Sequence, residues 1–302
     1  MKTLSKLVST SGVSLLVITS PVIISGSYKK ANPIPTSTTA TISAPFYTSP
    51  FNTKTPGFYN TTTVNYADAV VGKLASATAT AAEKKSNDFA VASAKKALEV
   101  KMVVREATLI YATMRLNRSG LNPKAFEYAW RGYHNLMKKG MLKKNNVLSI
   151  CDFTQSSRRK RLYIIDVLHK KLLYNTYVAH GMNSGTEYAT SFSNKPESFK
   201  SSLGFFVTTR TYTGRNGLSL RVSGLEKGFN DLAAKRNIVL HGSDYVGTDY
   251  LKNNGEMGRS LGCAVIPNQV NVKIIKTIKN GSCFFVYHPN KKYLNESSVI
   301  NG

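Results

Sequence analysis

Acidic side chains are scarce in this sequence. Sixteen Asp and Glu face 41 Lys and Arg, a formal net charge of +25 over 302 residues. The imbalance is not confined to a tail: residues 1–145 carry 20 basic and 6 acidic side chains, and residues 146–302 carry 21 and 10. A field of that sign favours polyanions, which include nucleic acid, anionic lipid and a carboxylate-rich cell wall. Cysteine is also sparse at three, an odd number, so one thiol stays free even if the other two pair. His-Glu-x-x-His and Cys-x-x-Cys are both missing, so a zinc site drawn from His180, His241 and Cys263 has no spacing to support it. Ser243 does not sit in a Gly-x-Ser-x-Gly elbow that would make it a serine nucleophile. No recognised nucleic-acid motif and no internal repeat accompany the basic charge. The absence of an early cysteine excludes a lipoprotein anchor, and past the N-terminus no run reaches the ~18–20 apolar residues of a spanning helix.

What is present has a clear order. Lys2 and Lys6 precede the mostly apolar Val13–Ser25, and the small residues Ser25-Gly26-Ser27 follow. Residues 1–27 therefore read as a secretory signal or an uncleaved N-terminal membrane anchor. Residues 28–86 read as a disordered Ser/Thr/Pro-rich linker, since five of the ten prolines fall between Pro33 and Pro56. From Asn87 the apolar residues recur at helical spacing. Asn122-Pro123 is a helix start, with a capping side chain followed by Pro in the first turn. Phe126, Ala129, Trp130, Tyr133, Leu136 and Met137 then form one stripe, which predicts a small helical cap over 87–145 with Trp130 in its core.

After Asn146 the period becomes that of strands. Segments 147–153, 161–167, 172–178, 203–208, 218–222, 238–241, 263–266 and 283–287 are the predicted strands, with short helices over 230–235 and 270–278. Many short strands between glycine-bearing turns predict a mostly β domain over 146–302, arranged as a sandwich or barrel. Cys151 and Cys283 lie in apolar strands, and we read them as buried thiols because spacing gives no evidence of proximity.

Two stretches carry chemistry. Ile238-Val239-Leu240-His241-Gly242-Ser243 is a β-branched run ending in His-Gly, and Gly258-Arg259-Ser260-Leu261-Gly262-Cys263-Ala264-Val265-Ile266-Pro267 delivers a cysteine where a loop enters a strand. A thiol of reference pKa ~8.5 is mostly protonated at neutral pH, and an adjacent imidazole converts it to the nucleophilic thiolate. The pair predicts Cys263 as nucleophile and His241 as base within hydrogen-bond reach. Backbone N–H groups around Gly262 and Cys263 are the expected oxyanion donors, and either Ser260 or the Gly242 carbonyl orients the imidazole.

His-Gly-Ser followed by Ser-x-Gly-Cys resembles the cysteine-dependent L,D-transpeptidases of bacterial cell walls, the YkuD-like catalytic domain. The Gly-Arg-Ser wording is similar to murein L,D-transpeptidase catalytic domain proteins. So are Asp152-Phe153, Val178-Ala179-His180-Gly181, Ser191-Phe192-Ser193-Asn194 and Ser201-Ser202-Leu203-Gly204-Phe205, and the likeness runs from about residue 108 to 288. The resemblance implies an L,D-transpeptidase-like β-sandwich with short helices. It also implies an exported enzyme of the periplasm or cell envelope that needs no cofactor and acts on peptidoglycan rather than nucleic acid. Under it, Cys263 takes the acyl group of a tetrapeptide stem, with His241, Ser260 and Gly262 as its catalytic companions. Arg259, Gly242, His180 and Ser202 are the expected substrate-binding residues. Many family members carry Arg or Asn just after the cysteine, whereas Ala264 and Val265 follow here, so Arg259 is expected to turn inward and read the substrate carboxylate. Water as acceptor would make the protein an L,D-carboxypeptidase, and a non-catalytic wall-binding module is the reading from a different class.

Overall fold

The computed structural model of the protein describes residues 81–302. The signal or anchor of 1–27, and the linker as far as residue 80, lie outside the described residues. Helix α1, Ala81–Thr113, begins six residues before the expected Asn87, because Ala81-Ala82-Glu83-Lys84-Lys85 is a run of strong helix formers. Its C-terminal part packs through Ala107 and Ile110, both buried. Helix α2, Pro123–Lys138, starts where the sequence indicates: Asn122 Oδ1 accepts from the Lys124 N–H at 2.8 Å. The expected stripe is buried from Phe126 to Leu136, Trp130 included. Glu106 joins the helices, accepting from Trp130 Nε1 at 3.1 Å and lying 3.0 Å from His134 Nε2.

The protein is mostly β with short helices. Its strands are β1 Val147–Asp152, β2 Leu162–Asp166, β3 Lys171–Thr176, β4 Gly204–Gly214, β5 Gly217–Gly224, β6 Val239–Ser243, β7 Ala264–Pro267 and β8 Cys283–Tyr287. They hydrogen-bond as one sheet in the order β3-β2-β1-β8-β4-β5-β6-β7. The pairs β1/β8 and β6/β7 are parallel and the rest antiparallel. Strand β4 keeps the sheet continuous, since its first residues pair with β8 and most of its length pairs with β5. It runs past the expected end at Thr208 because Thr208 to Thr213 is rich in β-branched and aromatic residues, with a bulge between Thr208 and Thr211. Helix α2 docks on β1 and β8. Gly132 makes that approach possible, for a Cβ there would fall 2.1 Å from Phe205 Cζ, and the Phe205 ring stacks on Phe285 at 4.1 Å.

Three helices follow in the second half: α3 Thr248–Asn254, α4 Asn268–Ile278 and α5 Lys291–Glu296. Only α4 was expected. The helix expected over 230–235 is a chain of turns instead. Its Asn230 side chain is committed to backbone outside the segment, to Leu203 O, Phe205 O and the Glu226 N–H, so local bonds give way to tertiary ones. Glu226 is buried beside it and accepts from the Phe205 N–H at 2.8 Å, Tyr293 Oη at 2.9 Å and Ser297 Oγ. These turns end at Asn237, whose φ of +53° redirects the chain into β6.

Candidate active site

Strand register brings the two chemistry-bearing stretches together. β6 and β7 are parallel, with Leu240 opposite Ala264 and His241 opposite Val265. Cys263 immediately precedes β7, so continuing the register puts it across from Val239. Side chains alternate along a strand, and partners across a parallel pair share a face. Cys263, Val265 and His241 therefore project from the same face. With strands ~4.8 Å apart and ~3.3 Å per residue, the Cα atoms of His241 and Cys263 lie roughly 8 Å apart.

The imidazole is oriented by a carbonyl. His241 is buried, and its Nδ1 lies 2.9 Å from Gly242 O. A carbonyl only accepts, so Nδ1 carries the proton and Nε2 keeps its lone pair. Of the two orienting groups left open by the sequence, this is the Gly242 carbonyl. Ser260 is committed to the turn: its Oγ donates to Cys263 O at 2.7 Å and accepts from the Gly262 N–H at 3.0 Å. The Gly262 N–H expected to meet an oxyanion is thus already satisfied. Gly262 is glycine for two reasons, a φ of +120° and a Cβ position only 2.9 Å from Lys200 O.

The resting thiol is not on the imidazole. Among the described residues the hydrogen-bond partner of Cys263 Sγ is Asn237 O at 3.8 Å, and no bond joins it to His241. Burial pushes the Cys263 thiol up, against the Val239 N–H and the Arg236 charge, which pull it down. Burial also pulls His241 down, against its Gly242 bond. The resting pair is a neutral thiol and a neutral imidazole.

The family model described as the L,D-transpeptidase catalytic domain matches residues 117–287, more than half of the 302-residue chain. The chain belongs to this family. An L,D-transpeptidase from Mycobacterium smegmatis matches with 12% identity over 47% of this chain and 59% of its own, at a TM-score of 0.30. One from Xylanimonas cellulosilytica matches with 14% identity over 47% of this chain and 60% of its own, at a TM-score of 0.28. The chain thus spans about three-fifths of the length of these solved relatives. Comparison with curated proteins finds no match.

In this L,D-transpeptidase domain the remaining expected residues divide. His180 was expected to line the cleft, but it is 0% exposed and both ring nitrogens are taken. Arg161 Nη2 donates to Nδ1 at 2.7 Å, and Nε2 faces Gly185 O at 3.2 Å. The main chain of this segment is tied to the turn and strand around Cys263: the Ser260 N–H donates to His180 O at 2.9 Å, and the Ala179 N–H to Val265 O at 2.8 Å. Ser202 is likewise buried, donating to Ser193 O and accepting from Arg236. Gly242 is buried, and a Cβ there would fall 2.3 Å from Asn268 Oδ1. Arg259 is exposed and, among the described residues, has no hydrogen bond or ion pair to hold it inward. Cys151 and Cys283 are buried, unpaired thiols.

The enclosure of His180 has a measurable consequence. Burial, with Arg161 next in effect, lowers its pKa from 6.5 to about 4. Above pH 6.5 neither folded nor unfolded chain protonates this ring, so its neutral seat costs nothing. As pH falls from 6.5 towards 4 the unfolded chain binds the proton first, and stability drops by up to about 3 kcal/mol. His180→Gln offers an acceptor to Arg161 and a donor to Gly185 without titrating. Urea unfolding at pH 7 and pH 4 should show a smaller acid loss in the variant; equal losses would assign the acid limb to other groups.

Sequence reasoning missed Arg236. It is half-buried and donates to Ser193 O, Ser202 Oγ, Ser198 Oγ and Lys200 O, beside Gly262. As one of 41 basic residues, two before a strand, it carried no local signal. A groove of about 410 Å³ lies alongside, lined by Thr209, Arg210, Arg221, Val222, Asn237 and Ile238 among others. Arg221 pairs with Val239 across β5 and β6, which puts it on the face shared by Cys263 and His241.

Proposed function

We propose that this chain is a cysteine-dependent L,D-transpeptidase acting on peptidoglycan stem peptides through a Cys263 thioester. The observation that carries the reading is the parallel β6/β7 register, which gives Cys263 and His241 one face, with His241 Nε2 free as a base. The thiol leaves Asn237 O and gives its proton to His241 Nε2. Cys263 Sγ then attacks the carbonyl between the diamino acid and the terminal D-Ala. The imidazolium returns the proton to the departing D-Ala amine, leaving the acyl group on sulfur. An acceptor amine attacks the thioester and regenerates the thiol, giving a cross-link or a wall attachment. In this reading residues 146–302 form the catalytic domain and 81–145 its helical cap. Residues 1–27 are the export signal or anchor and the residues from 28 to 80 a linker, which locates the enzyme in the cell envelope.

Incubating the protein with a tetrapeptide muropeptide tests the reading. Release of D-Ala with formation of a dimer is expected, and release of D-Ala with tripeptide alone would identify water as the acceptor. No release of D-Ala under conditions where the chain is folded would reject the enzyme.

The donor carboxylate needs a cation, and Arg259 is unpaired in the turn before Cys263. Arg259→Ala should lower kcat/KM on the tetrapeptide about tenfold, with Arg259→Lys recovering only part because it loses the planar fork. Alkylation of Cys263 should change little in either variant. Turnover by Arg259→Ala equal to the parent would pass the carboxylate to Arg210 and Arg221 in the neighbouring groove.

A further inference from the structure

We propose that Arg236 is a positioning residue for this reaction: held over the Gly262–Cys263 turn by neutral loop acceptors, its guanidinium sustains the Cys263 thiolate once His241 has taken the proton. The proposal rests on the reading of Cys263 as the nucleophile and adds the group that sets its reactivity.

The guanidinium is fixed in place by four neutral partners. Nη1 donates to Ser193 O at 2.7 Å and Ser202 Oγ at 2.5 Å, and Nη2 donates to Lys200 O at 2.6 Å and Ser198 Oγ at 3.2 Å. All are carbonyls or hydroxyls, and among the described residues no carboxylate pairs with Arg236. Such partners orient the cation without cancelling its charge, and a half-buried charge acts through a lower dielectric than an exposed one. Nη2 lies 3.2 Å from the point where a Cβ on residue 262 would stand. The glycine before the nucleophile is therefore also what lets the cation approach. On its other side, Arg236 adjoins Asn237, whose left-handed backbone presents its carbonyl to Cys263 Sγ at 3.8 Å.

The two neighbours favour different states of sulfur. The Asn237 carbonyl accepts a proton from a thiol but repels a thiolate, so it suits the resting form. Arg236 favours the anion. The other titratable or charged groups around the thiol are His241 on β6, Tyr245 after it, Lys200 in the facing loop and Arg259 in the preceding turn. Burial pushes Tyr245 up to about 12, so it stays neutral at working pH. Lys200 directs its ammonium to Ser191 Oγ at 2.8 Å. Arg259 is exposed, where salt screens it. His241 becomes positive only after it has taken the thiol proton. Arg236 is the cation present, and held, before the proton moves.

The test is the pH–rate profile of Cys263 alkylation by iodoacetamide in the folded full chain, read by peptide mass. A role confined to tying down the loop would leave this profile unmoved. Arg236→Gln should shift the midpoint upward and slow alkylation at pH 7 about tenfold. Arg236→Lys, which keeps the charge and loses the fork, should stay within about threefold of the parent. Ser198→Ala, which removes one loop bond and no charge, should leave the profile in place. A folded Arg236→Gln whose profile superimposes on the parent overturns the proposal, as does an equal shift in Gln and Lys variants. If Arg236→Gln does not fold, Arg236→Lys decides: a tenfold loss in it overturns the proposal. Because alkylation needs no muropeptide, failure of the transpeptidase reading shows up separately, as absent D-Ala release with the midpoint shift intact.

Discussion

Cys263→Ala is expected to abolish release of D-Ala from a tetrapeptide donor, and His241→Ala to reduce it by about 10²–10⁴-fold. The two losses differ in kind. Without the sulfur there is no acyl carrier, and nothing else in the turn replaces it, since Ser260 Oγ is bonded to Cys263 O and the Gly262 N–H. Without the imidazole the thiol remains, and the small thiolate fraction present at neutral pH still reacts. The residual rate of His241→Ala should accordingly climb with pH as the thiol ionises. The parent enzyme should instead hold its activity below pH 6.5, because burial lowers the His241 pKa and the base stays neutral there. A parent profile whose acid limb lies at pH 6.5 or above would show that burial does not keep the His241 base neutral there.

Arg161→Met is expected to cost about 3–5 kcal/mol of folding stability, measured by urea unfolding at pH 7. Arg161 is fully buried, and every hydrogen bond it makes goes to a backbone carbonyl or a ring nitrogen. Nε and Nη2 donate to Val178 O at 3.1 and 3.0 Å, Nη1 donates to Gln155 O at 2.8 Å, and Nη2 also reaches His180 Nδ1. The guanidinium lies 4.7 Å from the centre of the Phe153 ring. Burial lowers its pKa to about 10, so it remains a cation at neutral pH. Methionine matches its length and leaves two carbonyls and a ring nitrogen unpaired in the interior. The damage should reach the site, because the 178–182 segment anchored by Arg161 is the one bonded to Ser260 and Val265. A loss below about 1 kcal/mol would mean that the segment is held by its β-bridges alone.

The division between what was legible in the sequence and what was not follows the range of the interactions. Asn122-Pro123 and the stripe from Phe126 to Leu136 foretold α2 because a cap and a helical period are local. The first three strands, β6, and the turn that delivers Cys263 were legible for the same reason. The segment over 230–235 misled because its Asn230 bonds to Leu203 and Phe205, some 25 residues away in sequence. His180 was placed in the cleft through the family resemblance of Val178-Ala179-His180-Gly181. Only the tertiary position of Arg161, 19 residues earlier, separates a structural imidazole from a free one. Arg236 was hidden by composition, since a protein with 41 basic residues gives no single one prominence.

The most direct test of a Cys263 thioester is the intact-protein mass after brief exposure to a tetrapeptide donor without acceptor, followed by peptide mapping. The account predicts a mass gain equal to the tripeptide acyl group, located on Cys263, discharged by an added amine and absent from Cys263→Ala. An acyl group found on another residue, or D-Ala released by Cys263→Ala at the parent rate, would contradict it.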